Sequence, residues 1–353
     1  MEKIDIKSLT LPKLEKLVQE MGLPKYRAGQ IFRWLHQKQV LSFAEMSDLS
    51  GELREKLAGK CYINPVSIKK KLVSALDGTV KYLYELADGN CIEAVLMEYH
   101  HGMALCISTQ VGCRMGCKFC ASTLGGKVRD LTPAEMLEEV YAAGRDSGKR
   151  IGSLVLMGIG EPLDNFENVM DFLEILSCPQ GLNLSQRHVS LSTCGLVDQI
   201  YQLTKRKSQL TLSVSLHAPN DAIRNRSMPV NRKYPIDTLL KACRDYFTAT
   251  GRRVSFEYAL IAGVNDKPEH AKELAKRLQG MNAHVNLIPV NPVQETGMKR
   301  GSRESVRRFQ ELLASLGINA TVRRELGSDI SAACGQLRRQ DQQGRPSILE
   351  GQK

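Results

Sequence analysis

The ten residues VGCRMGCKFC, Val111 to Cys120, place three cysteines at spacings of three and then two intervening residues, and no fourth cysteine follows nearby. They come directly after ALCIST (104–109), an apolar run of strand character, so the thiols stand where a strand ends. A structural zinc ion takes four protein ligands, usually from two separated cysteine pairs or with added histidines. Here the nearest histidines, His100 and His101, precede the strand. An iron–sulfur cube held by three cysteines instead keeps one iron open for an exchangeable ligand. The loop therefore reads as a metal site with a position left for substrate, and zinc remains the alternative.

Outward from that loop, apolar β-branched runs alternate with amphipathic stretches. After ALCIST come SLVLMGIG (153–160), HVSLST (188–193), LTLSVSLH (210–217), RVSFEYALI (253–261) and HVNLIPV (284–290). The gaps hold helical patterns such as TPAEMLEEVYAAG, IDTLLKACRDYF, PEHAKELAKRLQ and SRESVRRFQELLASL. Strand then helix, repeated about six times, predicts parallel strands with right-handed crossovers. The phrases GCRMGC, GIGEP, STCG, SLHAPND and NLIPVNP fall where these strands end, the edge that carries chemistry in a barrel. The expected fold class is α/β, a partial (β/α)6 barrel spanning residues 99–329. A doubly wound open sheet is the alternative, but it would place a glycine-rich dinucleotide turn after its first strand, where this chain has cysteines.

Upstream, residues 1–60 carry helical periodicity. Leu14, Leu17, Val18 and Met21 share one face, and Ile31, Trp34 and Leu35 follow within the basic, aromatic stretch KYRAGQIFRWLHQKQ. This segment reads as a small N-terminal helical accessory domain with a nucleic-acid-facing side. Residues 61–98 turn strand-like, with Asp77-Gly78 and Asp88-Gly89-Asn90 as hairpin turns, and are expected to form a connecting β segment. Residues 330–353 form a tail.

At 353 residues the chain is long enough for one large core with an appendage. Its formal charge of +11 fits a polyanionic partner, because a basic surface draws phosphates and releases their counterions. The N-terminus shows no apolar core of signal-peptide length, and no segment approaches a membrane span, so a cytoplasmic protein without a membrane partner is expected, by default a monomer. Ten cysteines in a reducing compartment point to metal binding or thiol chemistry rather than a disulfide framework. Cys61, Cys91, Cys178, Cys194 and Cys243 show no mutual spacing and read as small buried residues.

The pattern CxxxCxxC, with Phe119 before its last cysteine, resembles the signature of radical S-adenosylmethionine (SAM) enzymes. MGIGEP (157–162) is similar to that superfamily's glycine-rich motif for the methionine moiety of SAM. Farther along, YRAGQIFRWL, CISTQVGCRMGCKFCAS, LMGIGEPLDN, STCG, SLHAPND, GVNDKPEHA, NLIPVNP and GSDISAACGQL together resemble one branch, the dual-specificity ribosomal and transfer RNA adenine-C2 methyltransferases, over about residues 10–340. A sister branch methylates carbon 8 of the same ribosomal adenine.

The resemblance implies a [4Fe-4S] cluster on Cys113, Cys117 and Cys120, and SAM contacts from Gly160, Glu161, Ser192, Ser215, Leu216, His217 and Asn291. It implies that Cys334 receives a methyl group from one SAM by simple displacement and carries it as S-methylcysteine. Cleavage of a second SAM then yields a radical that takes hydrogen from the S-methyl group, and the resulting methylene radical adds to the adenine. Glu93 is the implied proton acceptor, and Cys106 the cysteine that attacks the Cys334 sulfur, frees the product and leaves a transient disulfide. Such a relay answers a chemical need, since carbon 2 lies between two ring nitrogens and is too electron-poor to attack SAM, whereas a thiolate is a strong nucleophile. The implied partners are 23S ribosomal RNA, transfer RNA and an electron donor for the cluster. The basic stretches KRKS (205–208), GMKRGSR (297–303) and LRRQDQQGR (337–345) are candidates for phosphate contacts while the target base is flipped. A non-catalytic RNA-binding protein with a metal-braced loop is the reading from another class.

Overall fold

The computed structural model describes residues 3–289, 299–330 and 332. In chain order its strands and helices are β1 (Ile4–Asp5), α1 (Leu11–Glu20), α2 (Tyr26–His36), α3 (Gly51–Lys60), β2 (Cys61–Tyr62), β3 (Ser67–Val73), β4 (Val80–Glu85), β5 (Cys91–Tyr99), β6 (Gly102–Cys106), β7 (Gln110–Gly112), β8 (Lys127–Asp130), α4 (Pro133–Ser147), β9 (Ile151–Leu156), α5 (Phe166–Ser177), β10 (Val189–Thr193), α6 (Val197–Lys205), β11 (Thr211–Ser215), α7 (Asp221–Ser227), α8 (Ile236–Thr250), β12 (Val254–Leu260), α9 (Pro268–Leu278), β13 (Ala283–Pro289), α10 (Arg303–Ser315) and β14 (Asn319–Val322).

The main sheet has ten strands in the order β14-β13-β12-β11-β10-β9-β6-β5-β4-β3. From β6 to β14 every pairing is parallel, as the strand-and-helix alternation predicts. All seven residues of β12 are buried, as suits a parallel strand covered on both faces. Helices α4 with α5, α6 with α8, and α9 with α10 pack as neighbours along the sheet. The seventh parallel strand, β14, has no counterpart among the runs read from sequence: four residues, NATV, with one of them buried, carry too little apolar signal.

Residues 61–98 do more than connect. Their strands β3, β4 and β5 extend the same sheet in antiparallel pairing beyond β6. The two hairpins turn at Gly78 and Gly89, both at positive φ, as the Asp-Gly pairs predict.

The N-terminal helices close on themselves through the parallel pair β1–β2 and dock on α4. Leu14, Leu17, Val18 and Met21 are all buried. At the docking surface Lys7 and Glu138, both fully buried, form an ion pair, and His36 Nδ1 lies 3.0 Å from the Tyr141 hydroxyl. Burial holds His36 neutral, its pKa lowered to about 3, with Lys7 adding to the effect. No helix among the described residues is long and apolar enough to cross a membrane.

Candidate active site

Two cavities adjoin at the C-terminal edge of the parallel strands. The first, about 290 Å³, is lined by Cys113, Cys117 and Cys120, by Gly160 and Glu161, and by Ser192, Ser215 and His217. Residues from four separate strand ends thus meet in one space, as the expected barrel edge requires. Leu216, between two of them, is fully buried. Asn291 and Cys334 lie outside the described residues.

The cysteine loop leaves β7 and returns through β8, which pairs with it. Asp164, from the turn after β9, receives Gln110 Nε2 at 2.9 Å, Lys127 Nζ at 3.0 Å and the Arg114 guanidinium, so both feet of the loop are tied to the glycine-rich turn. Its tip is held from the other side, where Lys118 N–H donates to Ser227 O at 2.9 Å.

The glycines of GIGEP are there for the protein's own backbone. A Cβ on Gly158 would lie 2.4 Å from Ile107 O, and one on Gly160, at φ +114°, would lie 2.8 Å from both Gln110 N and Thr109 Oγ1. The turn is stitched to the segment that enters the cysteine loop by Thr109 N–H and Gln110 N–H on Ile159 O and by Glu161 N–H on Gln110 Oε1. Glu161 is buried, and burial raises its carboxyl pKa. Its Oε2 accepts Cys194 N–H at 2.7 Å and its Oε1 accepts Leu163 N–H at 3.2 Å. The Thr193 and Cys194 side chains add hydrogen bonds to the same carboxylate.

His217 sits at φ +55°, a conformation unfavourable for a non-glycine residue. Asn265 over-determines it: Nδ2 donates to His217 O at 2.8 Å and to Ala259 O at 2.7 Å. The ring Nδ1 accepts Ala259 N–H at 2.9 Å, which assigns the neutral tautomer with its proton on Nε2. Burial and then the Arg224 charge keep it neutral, with a pKa lowered to about 3. Phe119 packs edge-on against it at 4.7 Å between ring centres, joining the cysteine loop to the end of β11.

Arg224 is fully buried and pins three strand-end carbonyls, with Nη2 on Cys194 O at 2.6 Å and Ser215 O at 3.0 Å, and Nε on Leu216 O at 3.1 Å. Sequence reading missed it, as it missed Cys194, Glu257 and Arg323 on the cavity wall. The only local signal was the polar run SLHAPNDAIRNR after a strand, in which Asn220 caps α7 and so aims Arg224 inward. Cys194 was set aside for want of a partner spacing, yet it shares an apolar cluster with Cys117 and Met228.

The second cavity, about 250 Å³, is lined by Glu93 of β5 and Cys106 of β6, and it shares Met157, Gly158, Ile288 and Arg323 with the first. Glu93 is buried and its Oε2 lies 3.1 Å from the fully buried Nζ of Lys81 on β4. Burial pushes the Cys106 thiol up to about 11, against the lowering pull of the Arg323 guanidinium. Ala332, two residues before Cys334 in the chain, lines this cavity and packs in the same apolar cluster as Cys106.

The three loop thiols suit a polynuclear cluster. Burial is the largest cause raising each of them, Cys113 to about 12, and neighbouring thiols push Cys113 and Cys117 further. Such thiols become thiolates only against a bound cation. All three line the first cavity.

Of the basic stretches, Lys205, Arg206, Lys207, Lys299 and Arg300 are exposed, and Arg300 meets Glu325 at 2.9 Å. Residues 337–345 lie outside the described residues. In α2, Tyr26 is exposed beside Arg27, while Trp34 packs inward with Lys38 Nζ 3.4 Å over its ring.

Residues 107–276 match the radical SAM superfamily, and residues 4–63 match the ribosomal RNA large subunit methyltransferase N-terminal domain. A protein of Alkaliphilus oremlandii named a probable dual-specificity RNA methyltransferase RlmN is 54% identical over 96% of this chain and 98% of its own length. One of the same name from Lachnoclostridium phytofermentans is 52% identical over 96% and 95%. The crystal structure of a radical SAM methyltransferase from Sphaerobacter thermophilus superimposes with a TM-score of 0.88 at 43% identity, over 94% of this chain and 98% of that one. With relatives at this identity over nearly the whole chain, the chain belongs to the RlmN family of radical SAM RNA methyltransferases.

Proposed function

We propose that this enzyme methylates carbon 2 of an adenine in 23S ribosomal RNA, and of an adenine in transfer RNA, by way of a methylated Cys334. As a radical SAM RNA methyltransferase it uses a [4Fe-4S] cluster and SAM. When bound, that pair supplies one-electron cleavage of the sulfonium and hence hydrogen abstraction.

The rest of the work falls to the chain. Cys113, Cys117 and Cys120 hold the cluster, and Gly160, Glu161, Ser192, Ser215, Leu216, His217 and Asn291 hold SAM at the strand ends. The neutral His217 offers its Nε2 proton as a donor within the first cavity. Cys334 takes the methyl group, and a thioether later joins its sulfur to the base. Glu93 removes the proton from the substituted carbon. Cys106, as thiolate, then attacks the Cys334 sulfur. The sulfur–carbon bond breaks, its electron pair goes to the carbon, which takes a proton and becomes the methyl of the product, and a Cys106–Cys334 disulfide remains for a cellular dithiol to reopen. The protein acts in the cytoplasm as a monomer, with a separate electron donor for the cluster.

One observation carries this reading: Glu93 and Cys106 face a single cavity that abuts the cysteine-lined one, and Ala332, just ahead of Cys334, is on its wall. Peptide mass spectrometry after anaerobic cluster reconstitution and incubation with methyl-labelled SAM tests it. Label is expected on Cys334 and is expected to leave on turnover with RNA, appearing at carbon 2 in a nucleoside digest. An unlabelled Cys334 alongside continuing SAM cleavage would discard the relay, and label at carbon 8 would discard the regiochemistry alone.

A further inference from the structure

We propose that Lys81 is the positioning residue of the proton-removal step, holding the Glu93 side chain aimed into the second cavity until the base has been joined to Cys334. The inference rests on Glu93 being the proton acceptor.

Lys81 lies on β4 opposite Val95, and Glu93 lies two residues from Val95 on β5, so the two charged side chains meet diagonally across an antiparallel pair. Their Nζ–Oε2 separation is 3.1 Å, with Lys81 fully buried and Glu93 nearly so. Burying an ammonium and a carboxylate together adds little stability over two apolar residues of the same size, so the pair is a poor device for folding. Its place fits a task in the cavity.

Around Glu93 the wall is largely apolar: Val95, Met97, Tyr99 and Ile288. The Lys81 ammonium meets Glu93 Oε2 from the neighbouring strand and so fixes the direction in which the carboxylate points. In the step itself the radical adduct gives up one electron, for which the oxidised iron–sulfur cluster would be the acceptor, the hydrogen–carbon 2 bond breaks with its electron pair returning to the purine ring, and the proton goes to a Glu93 oxygen. Arg323, Arg324 and Glu325, the other charged residues lining the cavity among those described, come from the segment after β14, whereas Lys81 shares the rigid hairpin with Glu93.

The test uses the full-length, cluster-reconstituted enzyme as wild type, Lys81→Met, Lys81→Arg and Glu93→Gln. Methylation of Cys334 is measured alongside the lifetime of the covalent protein–RNA adduct on denaturing gels. Lys81→Met is expected to methylate Cys334 and then hold the adduct at least about tenfold longer than wild type, part of the roughly hundredfold or more that a well-placed base contributes. Lys81→Arg, which keeps the charge, is expected to release it within about threefold of wild type. If Glu93→Gln traps adduct while Lys81→Met releases it normally, the role of Lys81 is overturned and that of Glu93 stands. If neither variant traps adduct, the assignment of Glu93 falls and this inference with it. Equal losses in Cys334 methylation and adduct release, unrescued by arginine, would reduce Lys81 to a structural part. Should Lys81→Met fail to fold, Lys81→Gln carries the same comparison.

Discussion

The two adjoining cavities share part of their wall, but among the described residues only the second is lined by the antiparallel strand β5. Around the first, the cysteine loop and the glycine-rich turn are fixed by backbone bonds such as those from Thr109 and Gln110 to Ile159, and the C-terminal ends of β10 and β11 add Ser192 and Ser215. In the second, the groups proposed for acid–base and thiol chemistry sit on the strands themselves, Lys81 and Glu93 on antiparallel β4 and β5 and Cys106 at the end of β6. A parallel edge offers loops that can wrap a cofactor, while an antiparallel extension presents side chains in register and at fixed height. The division teaches that cofactor chemistry and substrate resolution can be disabled separately.

Removing one thiol from each cavity breaks the comparison most strongly. Cys117→Ala is expected to lose the cluster, and with it all labelling of Cys334 and RNA. Cys106→Ala is expected to keep its iron and to methylate Cys334, then to stay joined to the RNA as a thioether. Iron content and a denaturing gel of the RNA-treated protein separate the two outcomes, and a shared phenotype would mean that the cavities do not act in sequence.

Next in size is Arg224→Met. Arg224 holds together strand ends on both sides of the first cavity, and its loss leaves the buried Cys194, Ser215 and Leu216 carbonyls and the Asn231 side chain without that donor. Unfolding in urea is expected to show a loss of about 3–5 kcal/mol. Substituting Lys299, at the surface, should leave the same midpoint within about 0.5 kcal/mol.

A third effect separates the cavities by pH. With its thiol raised to about 11 by burial, Cys106 is only about one part in ten thousand thiolate at pH 7. Because the thiolate is the attacking species, release of product from a preformed adduct is expected to quicken about tenfold per pH unit between pH 7 and 9. The stability link has a definite sign. A buried thiol that stays protonated in the folded state is held at no cost below its ordinary value near 9, and it destabilises the fold progressively as pH rises from there through about 11. A flat rate of release across that range would show that thiolate supply does not limit the step.

How far these features could be read from sequence follows the same division. Cys113, Cys117, Cys120, Gly160 and Glu161 lie in compact phrases at strand ends, so spacing and strand periodicity placed them on one edge. Arg224 and Lys81 escaped because their meaning depends on partners brought by pairing: Lys81 looks like one of several lysines in a solvated hairpin until register sets it against Glu93. Residues 67–85 looked like a connector because β3 is mostly exposed and lysine-rich, as befits an edge strand. Cys194 had no partner in spacing, and only the fold puts it beside Cys117.

The smallest expected effect concerns the rim rather than either cavity. Lys299 and Arg300 are exposed close to the start of α10, and Arg300 shares its charge with Glu325. Glu325 also lines the second cavity, so this stretch marks the path by which a phosphate backbone would approach Glu93 and Cys106. Reversing Lys299 should therefore weaken RNA binding more than reversing Arg300, whose charge already has a partner. Each lost phosphate contact is expected to lower the slope of log affinity against log salt by about one. Cleavage of SAM without RNA should not change, because neither residue lines the first cavity. RNA affinity that is unchanged at low salt in the Lys299→Glu protein would move the phosphate track elsewhere, with the exposed cations at 205–207 the next to test.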